Sequence, residues 1–203
     1  MEVRSLTVGP LAENAYLVWQ GAKGVLVDPG DQAGRILEAV RAAGFTPEAI
    51  LLTHAHFDHL GAVAPLAEAL GLPVYLHAAD LPLYQRAPEI AAGWGLTVPP
   101  PPEPAGFLDQ GDEVFGLAVL HLPGHSPGHL AFYRAEDGFV LSGDLLFRGG
   151  IGRYDLPGAD RTALFASLRR LLALPGATRV LPGHGPATTL AAERAANPFL
   201  KDL

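Results

Sequence analysis

Cysteine is missing from all 203 residues of this chain. Its absence excludes disulfides, thiolate zinc sites and thiol nucleophiles together, and leaves histidine and carboxylate as the strong metal ligands. Positive charge is scarce too. Lysine and arginine number 14 against 21 acidic residues, a net charge of -7. Nucleic acid and anionic membrane both require basic patches, so neither is expected as the main partner. No apolar run approaches the length of a membrane span. The first ten residues, "MEVRSLTVGP", lack the apolar core of a signal peptide. The expected location is the cytoplasm, and the expected partner is a small-molecule substrate. Lysine, asparagine and methionine are nearly absent while arginine and proline are frequent, the balance of a heat-adapted or GC-rich source. Nothing in the sequence speaks to oligomeric state.

What the chain does have is apolar residues, 49 % of the total, enough at this length for a sizeable core. Residues 1–203 are therefore expected to form a single domain. Residues 3–8, 14–19 and 24–28 read as short strands, the last ending in the turn "DPG". Ile36, Leu37 and Val40 carry helical spacing up to Gly44. The strand "AILLTHAH" follows, then a helix marked by Leu60, Val63, Ala67 and Leu70 and stopped by Gly71. "PVYLH" is the next strand. Residues 78–107, with Tyr84, Trp94 and "VPPPPEP", read as one long irregular segment, a lid, a pocket wall or a stiff connector. The second half repeats the first in outline. "GFVLSGD" matches "GVLVDPG", a helix follows through Leu164, Phe165, Leu168, Leu171 and Leu172, and "TRVLPGHG" matches "AILLTHAH". The segment "ATTLAAERAANPF" reads as a closing helix.

Both strand–helix–strand halves deliver ligand-type residues at strand ends, where α/β folds place their sites. "THAHFDHLGA" crowds His54, His56, Asp58 and His59 into six positions. A core cannot accept these groups unpaired, and a solvated loop has no need of them, so the stretch asks for a metal. His54 and His56, two apart on an extended segment, point to one side, and Asp58 and His59 lie past the turn toward a second position. "LHLPGHSPGHL" adds His121, His125 and His129, while Asp144 ends "FVLSGD" and His184 ends "RVLPGHG". Two ions about 3.5–4 Å apart need ligands from several strand ends and one bridging carboxylate, and the chain supplies that number. His77, His121 and His129 read better as surface or capping residues, and Asp28 before Pro-Gly as a turn former.

"HAHFDH", "PGHSPGH", "SGDLLF" and "LPGHGP" together resemble the metallo-β-lactamase superfamily over nearly the whole chain. "GGIGRYDLPGAD" and "NPFL" resemble its short glyoxalase II-like (hydroxyacylglutathione hydrolase-like) members. The resemblance implies an α/β fold, a four-layer αβ/βα sandwich, holding two divalent metal ions, zinc or else iron or manganese. It implies that His54, His56 and His125 hold the first ion, that Asp58, His59 and His184 hold the second, and that Asp144 bridges. Arg153 falls where these relatives carry a basic residue near a glutathione carboxylate. Two departures stand out. The glutathione-binding helical domain of longer relatives is not expected here, and Gly185 and Pro186 replace a Glu-Tyr pair after the last metal histidine.

The expected activity is metal-dependent hydrolysis of a thioester such as S-lactoylglutathione, by attack of a metal-bridging hydroxide that Asp58 orients. No motif offers a dedicated general acid, which favours a leaving thiolate, with a parent pKa of about 8.5, over a leaving amine. A lactonase or a one-iron persulfide dioxygenase of the same superfamily are the alternatives. From another class, a non-catalytic metal-binding domain would carry the ligands without turnover.

Overall fold

The computed structural model describes residues 1–201 and 203. Its internal contacts separate two compact units, Met1–Leu108 and Asp109–Leu203.

The first unit begins with three antiparallel strands, β1 (Glu2–Val8), β2 (Glu13–Gln20) and β3 (Lys23–Val27). Helix α1 (Ala33–Ala43) then crosses to β4 (Thr46–Leu51), which lies parallel to β3. The 3-10 turn Phe57–His59 and helix α2 (Val63–Leu70) lead to β5 (Val74–Leu76), and α3 (Leu81–Gly93) leads to β6 (Gly106–Phe107). The sheet order is β1-β2-β3-β4-β5-β6, with β3 to β6 parallel. Ile36, Ala39 and Val40 of α1 and Val63 and Leu66 of α2 form the buried stripes that amphipathic spacing dictates. They pack with Leu17, Leu26, Ile50, Leu60 and Leu76 into one apolar core. Each of the valine, leucine and isoleucine side chains among them contributes about 1.5–3 kcal/mol by leaving water. Both helices end at the glycines expected, Gly44 and Gly71.

Two expectations need correcting. Residues 78–107 are not one irregular segment, because α3 occupies thirteen of them and buries Tyr84, Ala87 and Ala91 on one face. Pro88 inside that helix disguises it, since an internal proline forfeits a backbone hydrogen bond and normally breaks the run. The strand read through His56 stops at Leu51. Leu52 still donates its N–H to the Tyr75 carbonyl of β5 at 2.9 Å, and His56 is extended (φ -70°, ψ 145°), but the ladder itself ends at Leu51.

In the second unit the sheet order is β14-β13-β10-β9-β8-β7. Its strands are β7 (Glu113–Val114), β8 (Leu117–His121), β9 (Leu130–Arg134), β10 (Phe139–Gly143), β13 (Arg179–Pro182) and β14 (Thr188–Thr189). A two-strand ribbon, β11 (Leu146–Phe147) with β12 (Gly150–Ile151), stands apart from it. Helix α4 (Arg161–Leu172) starts at Asp160, whose side chain accepts a hydrogen bond from the Ala163 N–H at 2.9 Å, and buries Leu164, Leu168 and Leu171. Helix α5 (Leu190–Ala196) is the expected closing helix. The outlined repeat is real, for β10, α4 and the parallel β13 reproduce β3, α1 and the parallel β4. Among the described residues there are five α-helices, and none is long and apolar enough to cross a membrane.

Candidate metal centre

Each unit carries its own set of donors. In the first, β3 and β4 run parallel with Val27 opposite Leu51, so the residues just beyond them emerge side by side. Asp28 follows β3 with a φ of +47°, in the left-handed region that a non-glycine residue occupies at a cost. That turn sends its carboxylate across to the end of β4. Oδ1 accepts from the Thr53 N–H at 2.7 Å, and Oδ2 accepts from the Thr53 hydroxyl at 2.5 Å. The same Oδ2 lies 3.1 Å from Nδ1 of His59, and Thr53 Oγ1 lies 3.0 Å from Nδ1 of His54.

These contacts settle where the protons sit. A carboxylate only accepts, so His59 carries its proton on Nδ1. The single proton of Thr53 is given to Asp28, so its oxygen accepts from Nδ1–H of His54. In their neutral form both rings therefore hold their lone pair on Nε2, the tautomer that an outer hydrogen-bond acceptor imposes on a metal-ligating histidine. The rings cluster, with centroids 4.2 Å apart for His54 and His59 and 4.8 Å for His54 and His56. Nε2 of His59 is 3.8 Å from Oδ2 of Asp58. Buried Asp80 accepts from the Ala55 N–H at 3.0 Å and so pins the residue between His54 and His56. Buried Glu13 stands 3.6 Å from Nδ1 of His59. Burial, reinforced by Glu13 and Asp28, pushes the Tyr16 phenol well above the usual tyrosine range. Gly30 is forced by close approach, because a Cβ there would strike the Asp58 carbonyl and the Glu13 carboxylate.

In the second unit Oδ2 of Asp144 lies 3.7 Å from Nε2 of His125 and 3.6 Å from Nε2 of His184. These separations are too long for hydrogen bonds. They suit donors that share an ion, since two ligand atoms each about 2.1 Å from zinc stand roughly 3–4 Å apart. His125 gives its Nδ1 proton to the Arg153 carbonyl at 2.9 Å, which again leaves the lone pair on Nε2. Gly152 permits that contact, as a Cβ there would collide with the Asp144 carbonyl and crowd the His125 Cβ. The loop is anchored from α5, where Glu193 accepts from the Gly149 N–H at 2.8 Å and Asn197 donates to the Gly150 carbonyl at 3.0 Å. Nitrogen and oxygen donors without sulfur, with tautomers set for Nε2 ligation, fit zinc, iron or manganese.

The remaining histidines do other work. Nδ1 of His77 accepts from the Ala79 N–H at 3.1 Å and caps a 3-10 turn. His121 donates through Nε2 to the Pro127 carbonyl at 2.9 Å. His129, fully buried, accepts at Nε2 from the Asp144 N–H at 3.1 Å and so holds the backbone of the carboxylate residue. Asp28 is more than a turn former, since it orients two histidines. Sequence reasoning missed that role, and those of Thr53, Asp80 and His129, because each acts through a partner 15 to 31 residues away or through a neighbour's ring. The side chain of Arg153 forks onto Asp155, Nε to Oδ1 and Nη2 to Oδ2 both at 2.9 Å. That contact holds the Asp155 carboxyl below its usual range.

Residues 8–184 match the description "Metallo-beta-lactamase superfamily". The chain is 40 % identical over 206 residues to the probable metallo-hydrolase YqgX of Bacillus subtilis, covering 98 % of each. It is 35 % identical over 208 residues to the hydroxyacylglutathione hydrolase GloC of Haemophilus influenzae, again 98 % of each. A protein crystallised in a di-iron-bound form, TTHA1623, shares the fold with a TM-score of 0.94 and 63 % identity, over 97 % of this chain and 100 % of that one.

Proposed function

This chain belongs to the metallo-beta-lactamase superfamily and has its fold, and from that premise we propose that it is a binuclear metal-dependent hydrolase of thioesters, S-lactoylglutathione being the type of substrate. In this reading the two units act as one domain of residues 1–203. His54, His56 and His125 hold one divalent ion, Asp58, His59 and His184 hold the other, and Asp144 bridges. The observation that carries the proposal is a matched set of ring contacts: Nδ1 of His54, His59 and His125 each lies 2.9–3.1 Å from an oxygen acceptor fixed by the fold, which in the neutral ring leaves Nε2 for ligation. A histidine cluster serving only to fill a core has no use for three matched tautomers. The relatives bearing metallo-hydrolase and hydroxyacylglutathione hydrolase names, and the di-iron form of TTHA1623, support the same reading.

Two bound divalent cations would supply Lewis acidity and bring the pKa of a bound water from 15.7 to about 7. The chain's own residues do the rest. Asp58 orients the attacking water and accepts its proton as the new C–O bond forms. The C–S bond then breaks, and the proton passes to the departing thiolate or to solvent. Thiolate leaves without a general acid, its parent pKa being about 8.5. Arg153 contacts a substrate carboxylate once its guanidinium turns from Asp155. A panel of S-lactoylglutathione, lactones, glutathione persulfide and a β-lactam, offered to metal-loaded protein, tests the proposal. Fastest turnover is expected on the thioester. Turnover of persulfide or lactone alone would replace it with that rival chemistry.

A further inference from the structure

One buried acid in the first unit lies outside the proposed ligand set. Glu13, the first residue of β2, is 1 % exposed, and its Oε1 stands 3.6 Å from Nδ1 of His59. That nitrogen already has its acceptor, Oδ2 of Asp28 at 3.1 Å. At 3.6 Å Glu13 is too far to take the proton as a hydrogen bond, so it does not set the tautomer. It acts on the ring by charge. The fold keeps room for it, since the space beside its Oε2 is the space that a Cβ on Gly30 would fill.

His54 and His59 therefore have unlike surroundings. Nδ1 of His54 meets the neutral hydroxyl of Thr53 at 3.0 Å, whereas Nδ1 of His59 faces two buried carboxylates. Asp28 serves both rings, directly at His59 and through Thr53 at His54, so its charge does little to separate them. The difference comes from Glu13. A second buried carboxylate is costly unless positive charge lies close by. One imidazole carries a single positive charge at most, and a metal ion on its Nε2 is the larger local charge. We propose that Glu13 is a positioning residue that acts through His59 and makes the two metal positions unequal. Its charge tightens the hold on the ion assigned to Asp58 and His59 and biases that position toward the more highly charged ion. The ion assigned to His54 feels it less. This inference rests on the ligand assignment of the hydrolase reading and goes beyond it in separating the two ions.

The test measures zinc affinity by competition with a chromophoric chelator in two backgrounds. His184→Ala keeps the ion of His54, and His56→Ala keeps the ion of His59. Glu13→Gln retains the shape and removes the charge. It is expected to weaken zinc about tenfold in the His56→Ala background, the scale of an outer-sphere change, and by a smaller factor in the other. Glu13→Asp, which keeps the charge, should recover most of that loss, as a merely structural glutamate would not. With iron in both positions and electrons supplied by an electrode, Glu13→Gln should lower the ferric-to-ferrous ratio of one iron about tenfold at fixed potential. That ratio corresponds to a rise of about 59 mV for a one-electron couple. Equal losses in the two backgrounds, or unchanged affinities and potentials, overturn the inference. A parent protein that shows this asymmetry yet hydrolyses no thioester keeps the inference and removes the hydrolase reading.

Discussion

The carboxylate of Asp28 and Nδ1 of His59 stand 3.1 Å apart, although 31 residues separate them in the chain. Asp28→Asn leaves the shape intact and offers an amide that can donate, which invites the wrong histidine tautomer. Outer-sphere changes of this kind cost about 10–100-fold in metal affinity. We expect that loss in a competition titration against a chelator. Unchanged affinity would remove Asp28 from any orienting role.

Asp144→Asn removes the negative charge that the proposed bridge supplies to two cations. Elemental analysis should give two metal ions per chain for the parent protein and one or fewer for the variant, with most turnover gone. The unfolding temperature of the metal-free variant should match that of the metal-free parent, since the apolar clusters carry the fold. Full metal content and normal rate in Asp144→Asn would contradict the assignment.

Gly152→Ala forces a Cβ onto the Asp144 carbonyl. Overpacking of this kind costs about 1–3 kcal/mol, read as a lower denaturation midpoint with an unchanged slope. The Arg153 carbonyl should shift from His125 at the same time, so metal affinity falls as well. A variant that loses stability but keeps full affinity would show that the His125 contact does not depend on this close approach.

Arg153→Ala should raise KM for a glutathione thioester about tenfold to a hundredfold, as expected for a lost charged hydrogen bond of about 1.5–3 kcal/mol. Metal content and kcat should hardly change, because the side chain is remote from the reacting carbonyl in this reading. A small neutral thioester should not register the substitution. Asp155→Ala releases the guanidinium from its present partner and is expected to lower KM for the anionic substrate. Equal effects on charged and neutral substrates would leave Arg153 as a loop residue held by Asp155.

Tyr84 is buried and donates to the Pro102 carbonyl at 2.8 Å, and burial pushes its phenol above the usual tyrosine value near 10. The folded protein thus keeps a proton that the unfolded chain loses, so this contribution is complete below pH 10 and declines as pH rises above it. Tyr84→Phe should cost about 0.5–1.5 kcal/mol at neutral pH through the lost hydrogen bond. Above pH 10 its stability should decline less steeply than that of the parent. Parallel pH profiles for the two proteins would show that Tyr84 ionisation does not contribute.

Most of the regular structure was legible because its signals are local. Helices α1 and α2 announced themselves by apolar spacing and a terminal glycine, and the repeat of strand, helix and parallel strand by two similar strings. Helix α3 was not, since Pro88 speaks against a helix more loudly than Tyr84, Ala87 and Ala91 speak for one. Strands β8 and β9 escaped because the prolines and glycines of "LPGHSPGH" between them dominate that stretch. The proposed ligands could be picked out by residue type and crowding. Their supports could not. Thr53 and Asp80 are ordinary loop residues until parallel pairing of β4 with β3 and β5 brings them beside Asp28 and Ala55.

The relay from His54 through Thr53 to Asp28, and from His59 to the same oxygen, has a consequence for how this chain can change. One carboxylate serves both rings, so neither histidine can be retuned alone. Paired substitutions at Thr53 and His59 should be strongly non-additive in a double-mutant cycle, because both side chains bind Oδ2 of Asp28. A lineage that loses Asp28 weakens two ligands in one step, and restoring either ring alone does not bring back the other. Asp28, Thr53, His54 and His59 are in this sense one heritable unit, four positions that evolution must keep or abandon together.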